Sequence, residues 1–310
     1  MKKTVRVFAP ATVSNVCCGF DVLGFALEGP GDEVTLTLTH GNEVSIQSIE
    51  PTGIRLPMEA EKNTAGVAVI SYLKALGVRQ GVAIELKKKL PLGSGMGSSG
   101  ASAVAAVAGI NHLMGSPLKP EQLLFHAMEA ERVACGSAHA DNVAPALLGG
   151  FVLIRHYDPL DIVQVPLAVK LWCVLVHPHI EVRTEDARKV LKPQVPLADT
   201  IIQTGNIAGL MVGLMKPDIA LISRSLEDVI AEPLRKSFIP GFDTIKSEAI
   251  ASGALGCGIS GSGPTVFALC GHKEVAERVG AVMQRIFSGL RVKSEIYVSP
   301  IPGDGARVMA

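Results

Sequence analysis

The chain has 310 residues, 48% of them hydrophobic and 19% charged, and its 29 basic and 29 acidic side chains cancel at pH 7. This composition describes a folded globular protein and excludes a disordered one; a neutral balance, with a pI near 7.1, argues against a nucleic-acid partner, whose phosphates would call for a basic face. The length exceeds what a single compact core usually serves, which predicts two domains.

Mean hydropathy is +0.35, but Gly, Pro or charge breaks every apolar stretch before the roughly 18 residues that suggest a membrane span. The opening MKKTVRVFAP lacks the apolar run of a signal peptide. No membrane partner and a cytoplasmic location are therefore expected. Cys17, Cys18, Cys135, Cys173, Cys257 and Cys270 show no CxxC spacing, so buried free thiols are expected rather than a zinc or thioredoxin-type site.

Along the chain, Val5, Val7 and Ala9 alternate as in a strand. Glu33 to Thr39 and Glu43 to Ile49 alternate apolar and polar side chains, the period of half-buried antiparallel strands, and His40-Gly41-Asn42 between them reads as a hairpin turn. Asn63 is placed to cap a helix that Gly77 ends. Gly81 to Leu90 alternates again, with Lys87, Lys88 and Lys89 read as its exposed end. A glycine-rich segment then runs into a helix of small residues from Ser98, and Pro120 opens another helix over 120–133. Strands are expected at 151–154, 162–165 and 171–176. Helical patterns cover 185–191, 198–215 and 226–230. A helix after Phe242, a strand-turn-strand over 253–270, a helix over 273–287 and a strand over 291–298 complete the chain. Strands and helices without strict βαβ alternation predict α+β halves, divided into 1–165 and 166–310.

The chemistry concentrates in LPLGSGMGSSGA, Leu90 to Ala101. Gly93, Gly95 and Gly97 let the backbone approach a ligand closely. The loop enters a helix, so unpaired N–H groups and the positive end of the helix dipole face that ligand. Ser98 and Ser99 add hydroxyls for phosphate oxygens or a metal ion. Gly95, Gly97 and Gly100 also fit the dinucleotide fingerprint G-x-G-x-x-G, but its acidic companion about 20 residues on is missing, and a Walker A loop would need a lysine. A bare strand-to-helix turn would not account for so many glycines.

This segment resembles the ATP-binding motif of the GHMP kinases, with the proline, the glycines, Met96 and the Ser98-Ser99 pair in register. Ala11 to Leu27 (ATVSNVCCGFDVLGFAL) is similar to the N-terminal motif of the branch of that family whose acceptor is L-homoserine. Asn15 and Gly19-Phe20-Asp21 match, and Cys17-Cys18 stand where the family usually has Gly-Pro. Gly258 to Leu269 (GISGSGPTVFAL) resembles the C-terminal glycine motif, with Gly261 and Gly263, that closes over the phosphate loop. The resemblance implies a ribosomal protein S5 domain 2-like N-terminal domain, a ferredoxin-like C-terminal domain, ATP and Mg2+ as cofactors and L-homoserine as the small-molecule substrate. It leaves a homodimer open.

Residue by residue, the resemblance implies nucleotide contacts from Asn63, Pro91, Leu92, Gly93, Ser94, Gly95, Met96, Gly97, Ser98, Ser99, Gly100, Ala101, Gly261 and Gly263. Ser98 and Glu131 would hold magnesium. Asn15, His139 and Thr184 would line the acceptor, Asp21 would meet its ammonium, and Arg188 and Arg235 its carboxylate, which a planar guanidinium binds through two parallel bonds. Arg188 also joins Asp141 and Asn142 at the reacting centre. Asp141 stands where related kinases carry a catalytic aspartate, yet a loose transition state asks little of a base, and Asn142 or the γ-phosphate oxygens are alternatives. His177 and His179 lack a third metal ligand and read as structural. Two rivals stand beside this reading: a sugar- or mevalonate-type acceptor, and a non-catalytic sensor on the same fold.

Overall fold

The computed structural model describes residues 3–51, 56–136, 138–301 and 303–309, with the backbone alone at 134 and 135. The first half, among these residues, holds strands β1 (Thr4–Ser14), β2 (Leu23–Thr39), β3 (Val44–Glu50), β4 (Gly81–Lys87), β5 (Phe151–Tyr157) and β6 (Leu160–Val165), with helices α1 (Thr64–Ala75), α2 (Ser98–Leu113), α3 (Pro120–Cys135) and α4 (Ala140–Leu148). The second half holds β7 (Leu171–Pro178), α5 (Thr184–Lys189), α6 (Leu197–Met215), α7 (Ile219–Ser225), α8 (Glu232–Arg235), α9 (Phe242–Ala251), β8 (Gly256–Ile259), β9 (Val266–Cys270), α10 (Lys273–Gly289), β10 (Ser294–Ile301) and β11 (Arg307–Val308).

Two sheets result. The first runs β11-β1-β2-β4-β3, and β5 pairs with both β2 and β6. The second is a four-stranded sheet, β10-β7-β9-β8, antiparallel throughout. Helices pack against sheets without βαβ repetition, the expected α+β organisation. The chain end crosses back to the first sheet, where β11 pairs with β1 at Val7↔Val308.

The small residues of α2 have a packing reason. A Cβ at Gly109 would stand 2.4 Å from Leu36 Cδ1, so the helix lies against β2 at a distance larger side chains would not permit. Asn63 caps α1 as its position predicts, its side-chain oxygen accepting from the Ala65 N–H at 3.0 Å, which satisfies one of the first-turn donors. Five cysteines are free and buried; the Cys135 side chain lies outside the described residues.

Three expectations are corrected. The turn at 40–42 does not join a hairpin, because β4 inserts between β2 and β3, antiparallel to the first and parallel to the second. Residues 226–230 are not helical: the Asp228 carboxylate accepts from the N–H groups of Ile230, Ala231 and Glu232 at 2.8, 3.0 and 2.9 Å, a local side-chain alternative to helical bonding. Lys88 is not an exposed strand end; it is buried and ion-paired with buried Asp32.

Candidate active site

The loop between β4 and α2 is left-handed at its three glycines, with φ of +60° at Gly93, +76° at Gly95 and +70° at Gly97, a region costly for residues bearing a Cβ. Space forbids a side chain at two of them as well. A Cβ at Gly95 would meet the Ser260 carbonyl oxygen at 2.3 Å, and one at Gly97 would meet Thr12 Oγ1 at 2.2 Å.

Those contacts belong to a set that ties three distant segments together. The Thr12 N–H donates to the Met96 carbonyl at 3.1 Å, and the Thr265 N–H to the Ser94 carbonyl at 3.1 Å. The Ser260 hydroxyl donates to the Gly95 carbonyl at 2.7 Å. Asn15 donates through Nδ2 to the Gly261 carbonyl at 2.8 Å and accepts the Asp21 N–H at 3.0 Å. The glycine loop, the N-terminal motif and the C-terminal glycine motif thus form one cradle, beside a cavity of about 1100 Å³.

Asn63, Leu92, Gly93, Ser94, Gly95, Gly97, Ser98, Ser99, Gly261 and Glu131 line that cavity, as do Asn15, Asp21, His139, Asp141, Asn142, Thr184, Arg188 and Arg235. Pro91, Met96, Gly100, Ala101 and Gly263 lie outside its lining; Met96 and Ala101 are wholly buried beneath the loop.

At the glycine-loop end, Lys88 donates to the Ser98 carbonyl and to the Ser102 hydroxyl, both at 2.8 Å, besides its pair with Asp32. Asp32 also accepts the N–H groups of Lys89 and Leu90 at 2.9 and 3.0 Å. The Ser98 hydroxyl is turned towards the Leu90 carbonyl and Asp32, at 3.3 and 3.4 Å. It is Ser99, rather than Ser98, that donates to Glu131 Oε2, at 3.1 Å. Burial pushes the Glu131 carboxyl up to about 6, against the pull of Ser99 and Lys88, and its Oε1 is buried with no hydrogen-bond partner among the described residues. A carboxylate oxygen left free in such a place, next to a hydroxyl, suits a hard cation that takes oxygen ligands.

At the other end, Arg188 Nη2 donates to both carboxylate oxygens of Asp21, at 2.8 and 3.0 Å, and lies 3.4 Å from His139 Nδ1. Arg235 is held by the carbonyls of Ala187 and Gly261, each at 3.0 Å. Both guanidinium carbons stand over the Phe20 ring, 5.5 and 4.9 Å from its centroid, cation–π contacts that keep two cations side by side. Burial, and then the nearby Asp21 charge, push the Asp141 carboxyl up to about 7; its Oδ1 is buried with no hydrogen-bond partner among the described residues. Burial also lowers the His139 pKa, which favours the neutral imidazole. Asn142 is fixed in one orientation, accepting from Thr12 Oγ1 at 2.8 Å and donating to Ser14 Oγ at 3.0 Å. Thr184 Oγ1 is 3.4 Å from Ser262 Oγ.

Several neighbours of this site went unnoticed in the sequence. Thr12, Ser14 and Ser260 act through backbone-tethering bonds that no residue pattern announces. Tyr157 donates to the Asp21 carbonyl at 2.7 Å from the exposed end of β5. Asp32 and Lys88 are separated by 56 positions, and the strand pairing alone brings them together. His177, read as structural, is buried against Thr265 Oγ1 at 3.1 Å.

A nucleotide-sized cavity between a glycine cradle and a paired set of arginines and acids defines a phosphotransferase acting on a small molecule. The GHMP kinases N terminal domain model matches residues 63–150, and the GHMP kinases C terminal model matches residues 210–289. The homoserine kinase of Chlorobium phaeobacteroides is 52% identical over 319 residues, covering 99% of this chain and 100% of the relative. That of Xanthomonas campestris is 40% identical, with 99% and 95% covered. The crystal structure of the homoserine kinase from Cytophaga hutchinsonii superposes with a TM-score of 0.97 at 52% identity, covering 100% of this chain and 98% of that one. The crystal structure of L. major mevalonate kinase, at 17% identity and a TM-score of 0.73, shares the fold. The chain belongs to the GHMP kinases. It is an ATP-dependent phosphotransferase with a hydroxyl acceptor.

Proposed function

We propose that the chain transfers the γ-phosphoryl group of ATP to the hydroxyl of L-homoserine, giving ADP and O-phospho-L-homoserine in the cytoplasm. The observation that carries the reading is the juxtaposition of Arg188 and Arg235 over Phe20 with Asp21 in contact, two cations and an anion that complement the carboxylate and ammonium of an amino acid. The full-length likeness to homoserine kinases supports it.

Arg235 has spent only part of its donor set on the Ala187 and Gly261 carbonyls, and its remaining N–H groups bind the substrate carboxylate. Asp21 takes the ammonium, which competes with Arg188 for its oxygens. Arg188, loosened by that exchange, lends its charge to the transferring phosphoryl group, and Asn142, held by Thr12 and Ser14, orients the hydroxyl. Asp141, pushed up to about 7, has the proton affinity a base acting near neutral pH needs. The loop over residues 91–101 supplies N–H donors to the nucleotide phosphates. Glu131 and Ser99 would hold magnesium, with Ser98 joining once its hydroxyl leaves Asp32. Held there, the ion would supply positive charge to offset that of the phosphates. The two functional ends map to a nucleotide domain over 1–165 and a C-terminal domain over 166–310, whose tail pairs back with β1.

ADP release with Mg2+ and saturating L-homoserine, mevalonate or galactose tests the assignment. Turnover with homoserine alone is expected; equal or better turnover with either of the others overturns it.

A further inference from the structure

Helix α6 turns a polar side chain, Gln203, into the interior, and both ends of its amide are engaged there. Nε2 donates to the Cys18 carbonyl at 2.8 Å and to Asp228 Oδ1 at 3.1 Å, and Oε1 accepts the Val229 N–H at 3.1 Å. Asp228 is buried too; its oxygens accept the N–H groups of Ile230, Ala231 and Glu232. Stability alone does not call for such a pair, since apolar side chains of the same shape often serve a core equally well. What the pair joins is more telling. Cys18 belongs to the loop that carries Phe20 and Asp21, and that loop is left-handed at Asn15, Val16, Cys17 and Asp21, with φ of +71°, +43°, +56° and +60°. Residues with a Cβ stay in that region only where their surroundings impose it. On the other side, the turn held by Asp228 opens α8, where the Arg235 N–H donates to the Ala231 carbonyl at 3.0 Å. The Arg235 guanidinium then returns over the Phe20 ring, 4.9 Å from its centroid. The path from the loop through Gln203, Asp228 and α8 closes on the loop again.

We propose that Gln203 and Asp228 are positioning residues of the acceptor pocket, which set Arg235 at its distance from Phe20 and Asp21 and so fix the spacing of the cation and anion that receive an amino acid's two charged groups. The inference rests on the reading of the acceptor given above and deepens it. Neither residue lines the cavity, so both act through Arg235 and not on the substrate. The ring of bonds explains why a short four-residue helix, Glu232–Arg235, can present a buried guanidinium accurately: its entry is tied to the same loop that its last residue covers. Asp228 contributes charge as well as geometry. Burial, and then the neighbouring Arg188, lower the Arg235 pKa, and the charges of Asp21 and Asp228 oppose them.

Initial-rate kinetics of the full chain, with each substrate varied in turn, test the proposal alongside thermal melts. Gln203→Met keeps the reach of the side chain and removes its three hydrogen bonds. The KM for L-homoserine should rise by about tenfold or more, since a binding group displaced by on the order of 1 Å is felt that strongly, while the KM for ATP stays within about twofold of wild type. Asp228→Asn keeps the shape, removes the charge and should move the same constant in the same direction; it carries the test if Gln203→Met melts below the assay temperature. On an Arg235→Leu background either exchange should alter the homoserine KM by less than about threefold, because a residue that acts through Arg235 then has nothing left to place. Variants that melt lower than wild type yet keep its homoserine KM overturn the proposal and leave the pair a purely structural one. So does a rise that is equally large on the Arg235→Leu background. A wild type that does not turn over L-homoserine is a separate failure, overturning the acceptor reading itself and this proposal with it.

Discussion

Arg235 meets the Ala187 and Gly261 carbonyls and stacks over Phe20, so its position is fixed before any substrate arrives. Arg235→Leu should raise the KM for homoserine by roughly thirtyfold or more and leave that for ATP nearly unchanged, since losing one buried charge-assisted partner costs about 2–5 kcal/mol. Arg235→Lys should recover part of this, because an ammonium keeps the charge without the paired donors. Initial-rate kinetics with each substrate varied in turn reads both effects. Asp141 makes a different prediction, in stability. Its folded-state pKa, about 7, lies above that of an unfolded aspartate, near ~4, so the folded state holds the proton more tightly. The group therefore destabilises the fold progressively as pH rises from about 4 to about 7, and the loss is complete above that. Asp141→Asn removes the dependence: its stability relative to wild type should climb over that window and level off above it, in denaturant melts of the nucleotide-free protein. A constant difference from pH 4 to 8 would contradict the burial-driven shift. At Glu131, exchange to Gln should depress turnover and raise the Mg2+ concentration needed for half-maximal rate, while leaving the melting temperature close to wild type. Normal activity at limiting magnesium would remove Glu131 from the metal site.

At the scale of elements, the loop-to-helix unit from Pro91 to Leu113 joins fold and function. Gly95→Ala would force a Cβ against the Ser260 carbonyl at a left-handed φ, a cost of about 1–2 kcal/mol from the backbone alone. ATP affinity should fall steeply while far-UV circular dichroism stays that of the wild type; unchanged affinity would detach the loop from the nucleotide. The strand-loop-helix unit was legible because glycine, serine and helix-start signals share one short window. So were α1, with its Asn63 cap, and the long helices with clear periodicity. The placement of β3 was not. Its alternation indicates a strand but not a neighbour, and pairing was settled by β4, some 40 residues later, taking the edge of β2. Lys88 reads as exposed from sequence because three successive lysines look solvated until the fold delivers Asp32 beside the middle one. Ser98 and Ser99 could not be told apart, since which hydroxyl faces Glu131 depends on the turn that opens α2. The Cys17 position, where the family usually has glycine, is left-handed at φ +56°, and nothing in the sequence itself announces that strain.

For the whole molecule, two sheets meet along bonds that run between the N-terminal motif, the glycine loop and the C-terminal glycine motif, so that segments far apart in the chain face one cavity. Asn15 to Gly261 and Ser260 to Gly95 are the spans, and 246 and 165 residues separate their partners. No single one of these segments lines the whole cavity, which is why three short motifs far apart in sequence read together. The central claim is that this joint site recognises an amino acid by both its charged groups. Its most direct measurement is kcat/KM, from ADP release, for L-homoserine against its decarboxylated analogue 3-amino-1-propanol, which keeps the ammonium and the hydroxyl and lacks the carboxylate. A fall of roughly thirtyfold or more is expected for the analogue, matching the loss of one charge-assisted pair. Equal kcat/KM for the two would contradict the carboxylate clamp, and with it the account of the acceptor site.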